Sequence, residues 1–314
     1  MTAQTVSVLA GGISHEREIS LRSGRRVADA LSTSDYVVSV IDPDATLLAR
    51  LADEHPFVVW PALHGSSGED GALLGLLTAA GHRYVGPDAE AARLAWHKPT
   101  TKTLAARRGL KTADSLTLAR EAFRELGAGS VLDLVIGTLG EHVVVKPAQG
   151  GSAQGVSIVS TAADLPRAMV EAFTYCEEAL VERFISGIEV GVTILNRGTG
   201  PEVLPAVEIV PVEGVYSFEA RYNAGETTFY APARLDKVAA AAVADTALAV
   251  YELLDLDYLA RIDLIVDSAG SPWLLEANAL PGLTETSLVP LAIEAAGLSL
   301  PQVFSDLVFR AGSA

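Results

Sequence analysis

Apolar and polar positions alternate at two periods along this chain, and the switches between those periods outline its elements. Thr5 to Leu9 is a short apolar run ending in Ala10-Gly11-Gly12, whereas Glu16 to Leu31 has the charge and spacing of an amphipathic helix. Tyr36 to Ile41 and Phe57 to Leu63 read as further strands, with a helical stretch between them near Ala45 to Ala52. This alternation predicts a parallel sheet with covering helices, whose ligands lie at the C-terminal strand edges. Gly11-Gly12 and His64-Gly65 fall at two such edges.

A new unit begins near Lys98. The pattern predicts a helix from Thr100 to Arg108, a short strand, a helix near Ala119 to Leu126, and the strand His142-Val143-Val144-Val145-Lys146-Pro147. Beyond a glycine-rich loop come strand Val156 to Val159, helix Ala162 to Phe173 and strand Ala179 to Glu182, which together make a small α+β unit. Strands recur from Ile188 to Val210, followed by a polar loop around Tyr216 to Tyr230 and an alanine-rich helix from Asp236 to Leu254. The chain thus divides into 1–96, 97–186 and 187–314.

The last of these units carries a hairpin. Arg261 to Val266 and Trp273 to Asn278 flank the turn Asp267-Ser268-Ala269-Gly270-Ser271. Side chains alternate along a strand, so Arg261 and Asp263 share one face, Glu276 and Asn278 share another, and the turn brings the two together. Two carboxylates and a carboxamide oxygen are ligands for a hard divalent cation, and a guanidinium beside them attracts anions. These are the parts of an ATP-site floor.

Composition narrows the classes. At 314 residues and 49% apolar content, the chain has material for two or three packed units. No segment approaches the roughly 20 apolar residues of a membrane span, and no basic region leads into a hydrophobic run at the N-terminus. The expectation is a cytoplasmic protein with no membrane partner. One cysteine, Cys176, excludes an internal disulfide framework and a multi-cysteine zinc site. A net charge of -16 argues against nucleic acid as a partner, so a polyphosphate ligand would need local cations.

Lys146 ends a strand and opens the loop Pro147-Ala148-Gln149-Gly150-Gly151-Ser152-Ala153-Gln154-Gly155. Three glycines let backbone N–H groups approach a phosphate, and the lysine adds a point charge. The order is not that of a Walker A loop, in which the lysine follows the glycines and a helix comes next; a mobile hairpin tip is the competing reading. Lys98 alone reads as a solvated charge, and gains a role only if a second lysine reaches the same nucleotide. Glu182, with free backbone groups through Ile185, is either a partner for an adenine edge or a surface residue, and Glu189 either a partner for ribose hydroxyls or the same. Glu16 is either a helix-terminal charge or a partner for an ammonium group. His64, in the turn His64-Gly65-Ser66-Ser67-Gly68-Glu69-Asp70-Gly71, is either structural or part of a shaped pocket.

Taken together and in this order, the segments at 11–18, 64–71, 146–155, 219–222, 261–263 and 276–284 resemble the D-alanine–D-alanine ligases of the ATP-grasp superfamily. The resemblance implies an ATP-grasp fold, mixed α/β and α+β, with an N-terminal parallel-sheet (pre-ATP-grasp) domain that binds substrate. It implies a central ATP-grasp subdomain, and a C-terminal one with the metal and catalytic site. The implied reaction is ATP-dependent ligation of two D-alanines through an acylphosphate, for peptidoglycan precursor synthesis. Asp263, Glu276 and Asn278 would then hold two Mg²⁺ or Mn²⁺ ions, with Lys98, Lys146, Ser152, Glu182, Ile185 and Glu189 on ATP. Arg261 and the Gly282 N–H would face the oxyanion. Glu16 would hold the first D-alanine's ammonium and join Ser152 and Tyr222 in a closing triad, Arg221 and Ser287 would bind the second D-alanine's carboxylate, and His64 would lie near the intermediate.

The family loop commonly reads Gly-Ser-Ser-Val-Gly where this chain has Gly151-Ser152-Ala153-Gln154-Gly155, and lysine is frequent at the place of Arg221. These departures bear on the acceptor. Tyr222, where depsipeptide- and D-serine-forming members commonly carry phenylalanine, favours the ordinary dipeptide. The family is commonly dimeric, so the resemblance implies a homodimer. The competing functions are a ligase joining other amino acids in specialised metabolism and a catalytically silent nucleotide-binding homologue.

Overall fold

Val6, Val8 and Leu9 are buried together with Ser7, so the strand β1 (Gln4–Leu9) is covered on both faces, as its unbroken apolar run requires of a central parallel strand. It pairs in parallel with β2 (Tyr36–Ile41) and β3 (Val58–Pro61) in a three-stranded sheet of order β2-β1-β3. Helix α1 (Arg17–Leu31) packs Ile19, Val27 and Leu31 inward, and Gly24 seats it on β1: a Cβ there would lie 2.2 Å from that of Ala10. α2 (Leu47–Glu54), α3 (Ala72–Ala79) and α4 (Ala89–Trp96) complete this region. The computed structural model describes residues 4–34, 36–212, 214, 216–223 and 225–313. Residues 1–3 and 314, at the outer ends of the first and third expected units, and Ala224, in the expected polar loop, lie outside the described residues.

Helix α5 (Lys98–Arg107) begins two residues before the expected Thr100, because the His97 side chain caps it and Pro99 is tolerated in a first turn. A four-stranded antiparallel sheet follows, built from β4 (Ser115–Ala119), β5 (Val143–Pro147), β6 (Ser157–Val159) and β7 (Glu178–Arg183) in the order β4-β7-β5-β6. It is covered by α6 (Arg120–Leu126), α7 (Ala128–Leu139) and α8 (Leu165–Tyr175). The helical pattern near Ala119 to Leu126 omitted α7, although Val131, Val135 and Leu139 stand at helical spacing and all three are buried.

The third sheet has six strands: β8 (Ile188–Asn196), β9 (Pro201–Val203), β10 (Val207–Pro211), β11 (Thr227–Tyr230), β12 (Leu259–Val266) and β13 (Pro272–Asn278). The expected polar loop contains the short helix α9 (Phe218–Tyr222) and β11. α10 (Lys237–Leu253), α11 (Leu288–Ala295) and α12 (Leu300–Ser313) flank the sheet. α12 returns to the first sheet, where the Phe304 ring packs 4.8 Å from that of Trp60 at a tilt of 55°.

Apolar clusters fuse the first and third sheets: Leu63 and Leu74 share one with Ile262 and Leu264, and Trp60 shares another with Phe304 and Leu259. The second sheet keeps a core of its own, with Val143, Val145, Met169 and Val181. A cleft between the second and third sheets is lined from both sides, by Val144 and Lys146 of β5 and by Asp263 and Ile265 of β12. No single helix among the described residues is long and apolar enough to cross a membrane.

Candidate active site

The hairpin register sets Arg261 opposite Asn278 and Asp263 opposite Glu276, with a register shift after Asp263. Arg261 donates to both carboxylate oxygens of Asp263, at 2.7 and 2.9 Å, and Asn278 Nδ2 donates to Asp263 Oδ2 at 3.1 Å. The Asn278 N–H group is thereby turned inward, which leaves the amide oxygen as the atom for a cation. Across β12, Gly191 makes room: a Cβ there would stand 3.3 Å from Asp263 Oδ1 and 3.4 Å from Arg261 Cδ. Burial pushes the Glu276 carboxyl up, but Lys98, Arg221, Lys146 and Arg261 outweigh it and hold the group at about 2. The pair of carboxylates with one amide oxygen suits a hard cation whose remaining ligands come from phosphate.

A cavity of about 270 Å³ opens beside this floor, and Lys98, Lys146, Glu182, Ile185 and Glu189 all line it. Lys98 is buried rather than solvated. Its Nζ donates to the Gly150 carbonyl and lies 3.5 Å from Glu276 Oε2, while its backbone N–H donates to Ala148. Glu182 is not simply open to an adenine: Lys146 contacts one of its oxygens and Lys102 the other. Lys102 is a residue the sequence reading missed, although its four-residue spacing from Lys98 on one helix was a signal. Glu189 is pushed up to about 7, mainly by burial and then by Asp263 and Glu276 against the pull of Arg221.

A second, smaller cavity of about 50 Å³ is lined by Glu16, His64, Ser152, Tyr222, Gly282 and Ser287. Glu16 occupies the cap position of α1 without a side-chain capping bond. Instead its carboxylate accepts from Ser152 Oγ, which also meets Tyr222 OH at 2.7 Å. Gly151 and Gly65 permit this approach, since Cβ atoms there would stand 2.9 and 3.2 Å from Glu16 Oε1. Ser152 and Ala153 both hold left-handed backbone, at φ 54 and 56, a strained conformation for non-glycine residues that the bonds to Glu16 and Tyr222 offset. Ser287 Oγ accepts from Thr284 N at 2.9 Å, closing the loop that carries Gly282.

His64 is held by a relay. Ser23 Oγ accepts from Leu283 N at 3.2 Å and lies 2.8 Å from His64 Nε2, while His64 Nδ1 stands 3.7 Å from Glu69. Glu69 lines the small cavity, and burial raises its carboxyl. Arg221 and Tyr216 line both cavities, with the guanidinium 4.3 Å above the tyrosine ring. Neither Glu69 nor Tyr216 was singled out from the sequence; burial beside a cavity is a tertiary property.

Comparison with known proteins identifies the family. The family model described as D-ala D-ala ligase C-terminus matches residues 104–309. A D-alanine–D-alanine ligase from Gloeobacter violaceus is 39% identical over 306 residues, 97% of this chain and 98% of the relative. The chain belongs to the D-alanine–D-alanine ligase family. Another ligase of the family, from Anaeromyxobacter sp. (strain K), is 38% identical over 302 residues, 96% of this chain and 95% of its own. A crystal structure of the Bacillus anthracis D-alanine–D-alanine ligase complexed with ATP superposes with a TM-score of 0.81 at 26% identity, covering 99% of this chain and 98% of that one. The fold is therefore that of an ATP-grasp ligase.

Proposed function

We infer that this enzyme joins two D-alanines to D-alanyl-D-alanine at the expense of ATP, supplying a peptidoglycan precursor. The observation that carries the reading is the meeting of the two cavities: Gly151, Tyr216 and Arg221 line both. A phosphate delivered from the larger cavity then reaches a carboxylate held in the smaller. The first D-alanine carboxylate attacks the γ-phosphorus, the bond from phosphorus to the ADP oxygen breaks, and an acylphosphate forms. The neutral amine of the second D-alanine attacks that carbonyl, and collapse of the tetrahedral intermediate breaks the bond from carbon to the phosphate oxygen, the phosphate leaving with the proton that the nitrogen gives up.

The roles are those the family resemblance implies. Glu16 takes the first ammonium; Arg221 and Ser287 take the second carboxylate; Arg261 and the Gly282 N–H face the oxyanion, where donors already in position matter most. Lys98 and Lys146 neutralise phosphate oxygens. Asp263, Glu276 and Asn278 would hold two Mg²⁺ (or Mn²⁺) ions, which when bound neutralise charge on the transferring phosphoryl group. The Glu16, Ser152 and Tyr222 bridge ties the β5–β6 loop to the first unit and the third, and keeps water from the acylphosphate. The division at 1–96, 97–186 and 187–314 and a cytoplasmic location, where ATP is at hand, belong to the same proposal. So does a homodimer, for which Val37 and Val40 on the β2 edge offer exposed apolar surface.

The test is ATP- and Mg²⁺-dependent phosphate release over a panel of D-amino acids, with product mass. D-Alanine alone should support turnover and give the dipeptide. Absence of turnover with D-alanine, alone or paired, would overturn the reading, and turnover only with another acceptor would move it to a different ligase of the same family. Sedimentation velocity tests the dimer.

A further inference from the structure

Lys102 lies one turn beyond Lys98 on α5 and faces Oε1 of Glu182, with both side chains only 4% exposed. Lys146 faces Oε2 of the same carboxylate. The two lysines differ in access: Lys146 and Glu182 line the nucleotide cavity, and Lys102 is not among its lining residues. It stands behind Glu182 and acts on a ligand only through it.

We propose that Lys102 is the positioning residue for base selection, fixing Glu182 as an ionised hydrogen-bond acceptor so that the site favours a 6-aminopurine nucleotide over a 6-oxopurine one. This rests on the reading of Glu182 as the contact to the base edge. An ionised carboxylate only accepts hydrogen bonds, whereas a protonated one also donates. A 6-amino group donates to the first; a 6-oxo group accepts from the second. Burial opposes ionisation of Glu182, and Lys146 and Lys102 together reverse that effect and hold its carboxyl below the usual range. When a triphosphate enters, Lys146 at the strand end has a new anion to serve. Lys102, screened from the cavity, remains the counter-ion of Glu182, and the acceptor character of the site then depends on it.

The test is the ratio of dissociation constants for IDP and ADP, measured by calorimetry with Mg²⁺ on the full chain. Lys102→Met should lower the preference for ADP by at least about tenfold, because a site built for one hydrogen-bond pattern loses discrimination when its acceptor is no longer fixed. Lys102→Arg, which keeps the charge, should largely preserve it. Glu182→Gln, whose amide can both donate and accept, should also erase the preference. An unchanged ratio in Lys102→Met alongside a collapsed one in Glu182→Gln overturns the role of Lys102 alone; an unchanged ratio in both overturns the base-edge reading beneath it. Should Lys102→Met fail to fold, Lys102→Gln offers Glu182 a neutral polar side chain in place of the charge. It should lower the preference for ADP in the same direction as Lys102→Met, and an unchanged ratio would overturn the proposal.

Discussion

Arg261 and Asp263 share one face of β12, and the guanidinium closes on both carboxylate oxygens, Nε to Oδ1 at 2.7 Å and Nη2 to Oδ2 at 2.9 Å. Asp263 thus orients Arg261 through Nε and Nη2. Arg261→Ala should lower kcat by at least about a hundredfold, as the loss of a preorganised oxyanion partner does. Arg261→Lys should rescue little, because an ammonium cannot reproduce the two-point grip. Steady-state rates on folded protein check this, and near-normal turnover would remove Arg261 from the chemistry.

Glu276 faces a group of cations that keep its carboxyl at about 2 against the effect of burial. Glu276→Gln keeps the shape and removes the charge. Turnover should fall by about a hundredfold or more, with a raised requirement for Mg²⁺, since both metal retention and phosphate neutralisation depend on that charge. A magnesium titration at fixed ATP measures both effects, and an unchanged midpoint would exclude Glu276 as a ligand.

Ser152 bridges Glu16 and Tyr222, so its removal unties the β5–β6 loop at one point. Ser152→Ala should release more phosphate than dipeptide, as water enters and hydrolyses the acylphosphate. Tyr222→Phe should be milder and widen the acceptor range towards D-lactate or D-serine. Parallel phosphate and product assays decide this; a one-to-one yield in Ser152→Ala would mean that the bridge does not guard the intermediate.

Glu189 carries the opposite pH signature to Glu276. Its carboxyl lies at about 7 in the folded, nucleotide-free protein against 4.5 ordinarily, so the folded state binds the extra proton between those values. Its contribution to stability is full below pH 4.5 and is lost as the pH rises through 7. Glu189→Gln should therefore gain stability relative to the parent across this window, as read from denaturant midpoints. Parallel curves would show that Glu189 titrates normally.

Gly24 illustrates packing that sets the position of the site. A methyl group there would meet the Ala10 Cβ at 2.2 Å, and α1 carries Ser23 and the adjoining Glu16. Gly24→Ala gains helix propensity of about 1 kcal/mol but should still lose net stability by about 1–2 kcal/mol, because overpacking a rigid contact costs more. Thermal or denaturant unfolding checks the sign.

Much of this site was legible because its residues lie in short runs with fixed geometry. Arg261, Asp263, Glu276 and Asn278 converge through strand alternation and one turn, and the Lys146 loop is marked by its glycines and by the strand before it. α12 and α7 were both passed over although their helical spacing was present, at Val303, Phe304, Leu307 and Val308 and at Val131, Val135 and Leu139. Lys98 gave the least reliable local reading, since nothing near it in sequence shows that Gly150 and Glu276 close over it.

The sequence by itself determined the alternation of strands and helices, the polar hairpin and the glycine-rich loop, because these depend on periods and turns spanning a few residues. Tertiary structure alone decided which charges meet. Glu182 is shared between Lys102 and Lys146, and Arg221 stands between two cavities. Burial and electrostatic partnership across segments far apart in the chain are set by packing, which no local pattern encodes.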